Sequence, residues 1–168
     1  MPDPSDVTLD GDCAVIVTRS FDAPRALVWR AFTEPAILQR WLLGPPGWEM
    51  HVCEVEVKVG GSYRWRWRNA ELGQEFGFTG TYTAVEIGAR LEDRQTFDQG
   101  THGVAMGEPT TNIVVFEDVP DASGPATRVV TRIEYPDAAT RTMVMSQGMS
   151  DGMEMSYAGL DKVLPQLA

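Results

Sequence analysis

The sequence is poor in the residues that build metal centres and disulfide frameworks. Its 168 residues hold two cysteines, Cys13 and Cys53, and two histidines, His51 and His102. Neither pair has a Cys-x-x-Cys or His-x-x-x-His spacing, which argues against zinc or any other resident metal. Both cysteines fall in apolar, strand-like surroundings and read as buried thiols of a reducing compartment. Positive charge is also scarce: 14 Lys and Arg against 24 Asp and Glu give a formal net charge of -10. Such a chain repels phosphate backbones and anionic head groups, so nucleic acid is not an expected partner. No apolar run approaches the ~20 residues of a membrane span. The opening Met1-Pro2-Asp3-Pro4-Ser5-Asp6 has neither the basic nor the apolar region of a secretory signal. The expected location is cytoplasmic, without membrane insertion. Phosphate-cradling glycine loops, dinucleotide fingerprints and nucleophile elbows are missing too, so no cofactor is expected and no motif points to a reaction.

What the chain does have is apolar mass, 43% of its residues, enough for the core of one domain. Residues 1–11, rich in Pro, Asp and Gly, read as a flexible N-terminal arm, and 12–168 as a single domain. Cys13 to Phe21 is β-branched and predicts a first strand. Asp22 is the expected N-cap of a short helix bearing Leu27, Val28, Ala31 and Phe32 on one face. Pro35 interrupts it, and a second short helix runs to Leu42 before Gly44-Pro45-Pro46-Gly47. Strand patterns follow near 50–59, 62–69, 75–86, 90–98, 111–117 and 127–135, with Gly60-Gly61 marking a tight hairpin and Gln99 to Gly107 a loop. After Pro136 the period lengthens. Met145, Met149, Met153, Tyr157, Leu160 and Leu164 form one helical stripe that predicts a long C-terminal helix lying on the sheet.

Strict alternation in Tyr63-Arg64-Trp65-Arg66-Trp67-Arg68 sends the aromatics inward and the arginines outward, where they pair with acids at small energetic effect. Phe76, Phe78 and Tyr82 share a face in the next strand. Gly80, Gly148 and Gly152 withhold side chains that would fill the space between sheet and helix. Asp93 and Gln95 lie on the phase of Leu91 and Phe97, as hydrogen-bonding groups directed inward or as a pair meeting water at the edge. These features predict either a plain core or a cavity with an aromatic wall, a methionine wall and a few polar groups.

Several strings in order along the chain carry a resemblance. They are Arg19 to Pro24, Val28 to Pro35, Trp41 with Gly44-Pro45, Val52 to Glu54, Val59 to Arg64, Glu75 to Tyr82, Gly148 to Met153 and Ser156 to Asp161. Over about residues 13–167 the chain resembles the START-like, polyketide-cyclase-like (SRPBCC) superfamily, in the branch homologous to the activator of a heat-shock chaperone ATPase (AHSA-type). Trp41-Leu42 stands where many relatives carry two tryptophans. The resemblance implies an α+β helix-grip fold: a curved, seven-stranded antiparallel sheet wrapped around a long C-terminal helix, with two short helices after the first strand. It also implies binding of an apolar or aromatic, lipid-like or polyketide-like small molecule in an internal cavity. The lining candidates are Trp29, Phe32, Trp41, Trp65, Trp67, Phe76, Phe78, Tyr82, Asp93, Gln95, Met149, Met153 and Tyr157. Two alternatives stand beside binding: an enzyme using Asp93 or His51 as acid or base on such a ligand, and a regulatory module acting on a chaperone. A chaperone or a second copy of the chain are the alternative partners.

Overall fold

The computed structural model describes residues 3–43, 46–100, 104–120 and 122–168, with 104–106 described by their backbone alone. Gly44, Pro45 and His102 lie outside the described residues. Eight strands form one antiparallel, curved sheet: β1 (Asp6–Asp10), β2 (Ala14–Phe21), β3 (Glu49–Val55), β4 (Ser62–Asn69), β5 (Gln74–Glu86), β6 (Arg90–Gln99), β7 (Val104–Asp118) and β8 (Thr127–Glu134). Their spatial order is β1-β2-β8-β7-β6-β5-β4-β3. Helices α1 (Arg25–Thr33) and α2 (Pro35–Trp41) connect β2 to β3 at the far edge, and α3 (Ala138–Ser146) and α4 (Met149–Leu167) close the chain. This is the helix-grip fold implied by the resemblance, with eight strands in place of the seven expected, because β1 precedes the strand expected first.

The alternation that predicted the strands decides what the sheet buries. In β2 the phase Val15, Val17, Arg19 and Phe21 is buried, and in β8 the phase Thr127, Val129, Thr131 and Ile133. These two strands pair along their whole length and form the floor under α4. α4 sits on that floor through Tyr157, Leu160, Val163 and Leu164, all buried. It is also held by charge. Arg19, 3% exposed, reaches Glu154 at 3.0 Å and Asp161 at 2.7 Å, seven residues apart on the same helix. Burial opposes the guanidinium's charge, but the bonds it donates to Asp161 and Glu154 outweigh it and hold its pKa above the usual arginine value. Removing one partner of such a buried pair generally costs about 3–5 kcal/mol.

Four expectations are corrected. The first residues are not a free arm: Asp6 to Asp10 pair antiparallel with Ala14 to Thr18 through a turn at Gly11, whose φ is 58°. Ser5 donates from both its amide and its hydroxyl to Glu154, which ties the start of this strand to α4. Asp22 is not the cap of α1, because the helix begins beyond Pro24, whose carbonyl accepts from Leu27 and Val28. The methionine stripe does not run on one helix. Gly148 takes the left-handed conformation, φ 82°, and breaks it into α3 and α4, a geometry that glycine adopts at little cost. The predicted loop also ends early, since β7 is already extended from Val104.

Candidate functional site

The concave face carries two aromatic groups with different surroundings. The first is packed. Phe32 lies 5.1 Å from Trp41, 5.3 Å from Phe116 and 6.3 Å from Tyr157, ring centre to ring centre, and Trp29 lies 5.2 Å from Phe116. Trp41 donates its indole N–H to the Ala31 carbonyl at 2.9 Å. These rings come from α1, α2, β7 and α4 and belong to the main core. Three of the lining candidates, Trp29, Trp41 and Tyr157, are thus placed in close-packed interior, and Phe32, half-buried, packs against it.

The second group stands apart from that core, at the β3–β6 end. Trp67 stacks on Phe76 at 5.1 Å, Trp48 meets Phe76 edge-on at 5.0 Å, and Phe97 lies 5.5 Å from Phe78 and 6.2 Å from Phe76. Cross-strand register produces this array, because Trp67, Phe76 and Gln99, and likewise Trp65, Phe78 and Phe97, fall in rows across β4, β5 and β6. Phe97 remains 36% exposed. An open cleft of about 390 Å³ runs past Trp48, Phe76 and Phe97 to Gly73, Gln74, Glu75, Gln99 and Gly100. Trp65, Trp67, Phe76 and Phe78 are the predicted lining residues brought together here. Trp48 and Phe97 complete the wall. Phe97 already shared the inward phase of β6, whereas Trp48 precedes its strand and had no periodic signal.

Between the two groups lies a polar cluster. Tyr63 donates its hydroxyl to Asp93 Oδ1 at 2.8 Å and accepts from the Gln95 side-chain amide at 2.7 Å, while Asn112 donates to the same Asp93 oxygen at 3.1 Å. Asp93 is 6% exposed. Desolvation raises its carboxyl to about 6, against the opposing bonds from Tyr63 and Asn112. Burial, with the Asp93 charge beside it, pushes the Tyr63 phenol well above its ordinary value, and the same two causes raise Tyr82. The inward reading of Asp93 and Gln95 therefore holds in the structure. Asn112 was legible in principle, since it shares the phase of Val114 and Phe116 in β7. Trp65 joins this cluster to the open wall: its ring stacks on Tyr63 at 4.4 Å and meets Trp67 at 6.5 Å.

The glycines act differently from the expectation. A side chain at Gly80 would collide with the Tyr63 ring, so this glycine makes room for Tyr63 to cross β5 and leaves no void. Gly148 and Gly152 face no neighbouring atoms. Met149 and Met153 pack half-buried against the main core from the start of α4.

The outer face holds a second polar network. Arg66, 1% exposed, bonds Asp98 at 2.5 Å and the Gly100 carbonyl, and Asp98 also accepts from Thr79 at 3.1 Å. Gly77, between them in β5, has no side chain to keep the pair apart. Arg66 thus points outward as predicted but is not a solvated surface arginine. His51 meets Glu75 at 2.9 Å beside this network, and Glu75 also borders the cleft. Among the described residues, no three His, Cys, Asp or Glu side chains are grouped to hold a metal ion, and no helix is long and apolar enough to cross a membrane.

A family model described as "Activator of Hsp90 ATPase homolog 1-like protein" matches residues 22–165. A crystal structure from Rhodobacter sphaeroides is similar with a TM-score of 0.86 at 27% identity, over 98% of this chain and 99% of that one. Protein Ms6760 from Mycobacterium smegmatis has a TM-score of 0.81 at 21% identity, over 96% and 97% of the two chains. The AHSA1 protein from Silicibacter pomeroyi has 0.70 at 17%, over 92% and 99%. The last two share the fold alone at these identities. No curated protein matches the sequence.

Proposed function

Because the chain belongs to the activator of Hsp90 ATPase homolog 1-like family of the START-like superfamily, whose helix-grip fold is a ligand-binding one, we propose that it binds an apolar or aromatic small molecule on the open aromatic wall of its concave face. The observation that carries this reading is the division of the aromatics. Rings that serve only stability pack against one another under helices, as Phe32, Trp41 and Tyr157 do. Trp48, Phe76 and Phe97 instead line a cleft open to solvent. Binding sites characteristically combine such an apolar wall with a few convergent polar groups, and Gln74, Glu75 and Gln99 border this cleft. On this reading the protein works in the cytoplasm and needs no metal or cofactor.

The test is titration with the neutral, environment-sensitive dye N-phenyl-1-naphthylamine, together with native mass spectrometry of protein purified without detergent. Saturable one-to-one binding that Phe76→Ala weakens at least tenfold supports the reading. No saturable binding, with nothing carried through purification, sinks it. A second reading, in which the bound molecule is also transformed, is favoured by one fact: burial lifts Asp93 to about 6, within the range suited to proton transfer near neutrality. Turnover of a carried molecule that Asp93→Asn abolishes without loss of binding would support it.

A further inference from the structure

The outer face of the sheet holds two arginines that the protein's own acids leave unpaired. With 24 acidic against 14 basic residues, a free arginine is unexpected in this chain. Most of the others meet a carboxylate, as Arg66, Arg68, Arg90 and Arg132 do, and Arg40 and Arg141 meet carbonyl oxygens. Arg64 and Arg94 have no hydrogen bond or ion pair among the described residues. Glu54 lies opposite Arg64 in the register without bonding it, and Glu92, two residues from Arg94, is taken by Arg90.

Sheet register sets these two arginines on either side of one strand. Arg64 of β4 lies opposite Thr79 of β5, and Arg94 of β6 lies opposite Thr81. β4 and β6 are about 10 Å apart across β5, so two long side chains can close on one small group above the threonines. An open cleft of about 500 Å³ lies there, lined by Thr79, Thr81, Arg94, Thr96, Asp98 and Pro109. Its far wall is a bulge. Gln95 pairs with Thr110 and Phe97 with Met106, so Gly107, Glu108 and Pro109 stand opposite Thr96 alone. Bulges of this kind recur where a sheet is adapted to hold a site, and here it is Pro109, not Glu108, that lines the cleft.

The hydrogen-bond donors in and beside the cleft fit one class of ligand. Thr79 already donates to Asp98 at 3.1 Å. Asp98, 5% exposed, is matched by Arg66 at 2.5 Å, so its carboxylate leaves no net charge in the cleft. The hydroxyls of Thr81 and Thr96 have no partner among the described residues. Two guanidinium forks and two hydroxyls therefore remain, with two uncompensated positive charges. A carboxylate offers two oxygens in a plane and one charge, whereas a phosphate monoester offers three oxygens and nearly two charges, arranged so that donors can reach it from several sides. We propose that this outer cleft binds the phosphate group of a small molecule, held by Arg64 and Arg94 from opposite sides and by the hydroxyls of Thr81 and Thr96. The net charge of -10 works against a polyanion, which senses the whole surface. A single phosphate within a Debye length, about 10 Å at 0.1 M salt, senses the two arginines. The site lies on the opposite face from the aromatic wall and is independent of the reading proposed for that wall.

The experiment is isothermal titration calorimetry of the intact chain at pH 7.5 in low salt, with glycerol 3-phosphate, inorganic phosphate and glycerate as probes. Saturable one-to-one binding of a phosphate probe is expected, about tenfold tighter than that of glycerate. Arg64→Gln and Arg94→Gln should each weaken it about tenfold, the equivalent of one charge-assisted hydrogen bond, and Thr81→Val severalfold. Arg68→Gln removes the same charge from the same face of β4 outside the cleft and should leave binding unchanged. Arg94 and Thr81 are exposed, so their variants keep the fold, and circular dichroism checks each protein. Tighter binding of glycerol 3-phosphate than of inorganic phosphate supports a site for a phosphate ester, and the reverse order supports one for the free ion. Three results overturn the inference: no saturable binding of either phosphate probe, glycerate bound as tightly as both, or a loss in Arg68→Gln equal to that in Arg64→Gln and Arg94→Gln.

Discussion

The packed and the open aromatic groups use the same residue types on the same face of the same sheet, yet one is core and the other is wall. The difference comes from what covers them. Phe32, Trp41 and Tyr157 are contributed by the helices that close over β7, and each helix brings its own ring to the contact. Phe76, Phe78 and Phe97 are contributed by adjacent strands alone, whereas Trp67 is buried and donates its indole N–H to the Leu42 carbonyl beyond α2. Strands can set rings side by side, but a single sheet has no second layer to seal them. Aromatic composition therefore does not separate core from exposed wall; the element that supplies the opposing surface does.

This contrast is tested most severely at Trp41. Trp41→Ala should cost about 3–5 kcal/mol, because it empties packed volume and orphans the Ala31 carbonyl, as measured by urea denaturation. A loss below about 1 kcal/mol would mean that the helix-covered group is not the core. Arg66→Ala should follow at about 3 kcal/mol, since it strands Asp98 in a buried place. An exposed arginine in the same alternating strand, Arg68, should cost under about 1 kcal/mol. Equal values for the two would show that the outer face is uniformly solvated.

Asp93, at the boundary between the two groups, gives a pH-dependent effect. Its folded pKa, about 6, lies above the ordinary 3.8. The folded state therefore holds the proton more tightly, and Asp93 is least unfavourable below the unfolded value. Stability is lost as pH rises from about 4 through 6, where the buried carboxyl must ionise. Asp93→Asn does not titrate. Its stability relative to the parent should therefore improve by about 2 kcal/mol between pH 4 and pH 8, measured by denaturant titration at both values. A flat difference would show that Asp93 is solvated. The open wall gives a small effect: Phe97→Ala should lower stability by only about 1 kcal/mol, since the ring is partly in water already, while weakening dye binding severalfold. A large stability loss there would turn the wall into core and erase the comparison.

Sequence periodicity made much of this legible. Alternation in Tyr63 to Arg68 and in Phe76 to Tyr82 put the right rings on the concave face, and the 3.6-residue stripe found the covering face of α4. What it could not provide was the cross-strand register. Tyr63 bonds Asp93 and Gln95 only because Gly80 lies between them in β5, and Arg66 is buried only because Gly77 lets Asp98 reach it. Each depends on three strands at once. Composition misled at the N-terminus: Asp6, Asp10 and Gly11 suggested an arm, yet Val7 and Thr8 have a ready partner in β2. At Gly148 the stripe was continuous while the backbone was not, because apolar spacing survives a left-handed break.

The strand β1 has a consequence for how the protein survives before and after folding. β2, Ala-Val-Ile-Val-Thr-Arg-Ser-Phe, is the kind of β-branched segment that recruits other chains when its edge is bare. Asp6 to Asp10 occupy that edge, with Asp10 paired to Arg132 of β8. β1 thus covers the β2 edge, and Ser5 fastens it to α4 through Glu154. Shortening the chain by its first ten residues would remove little buried volume, yet it would turn the best-formed strand of the sheet into a template for aggregation.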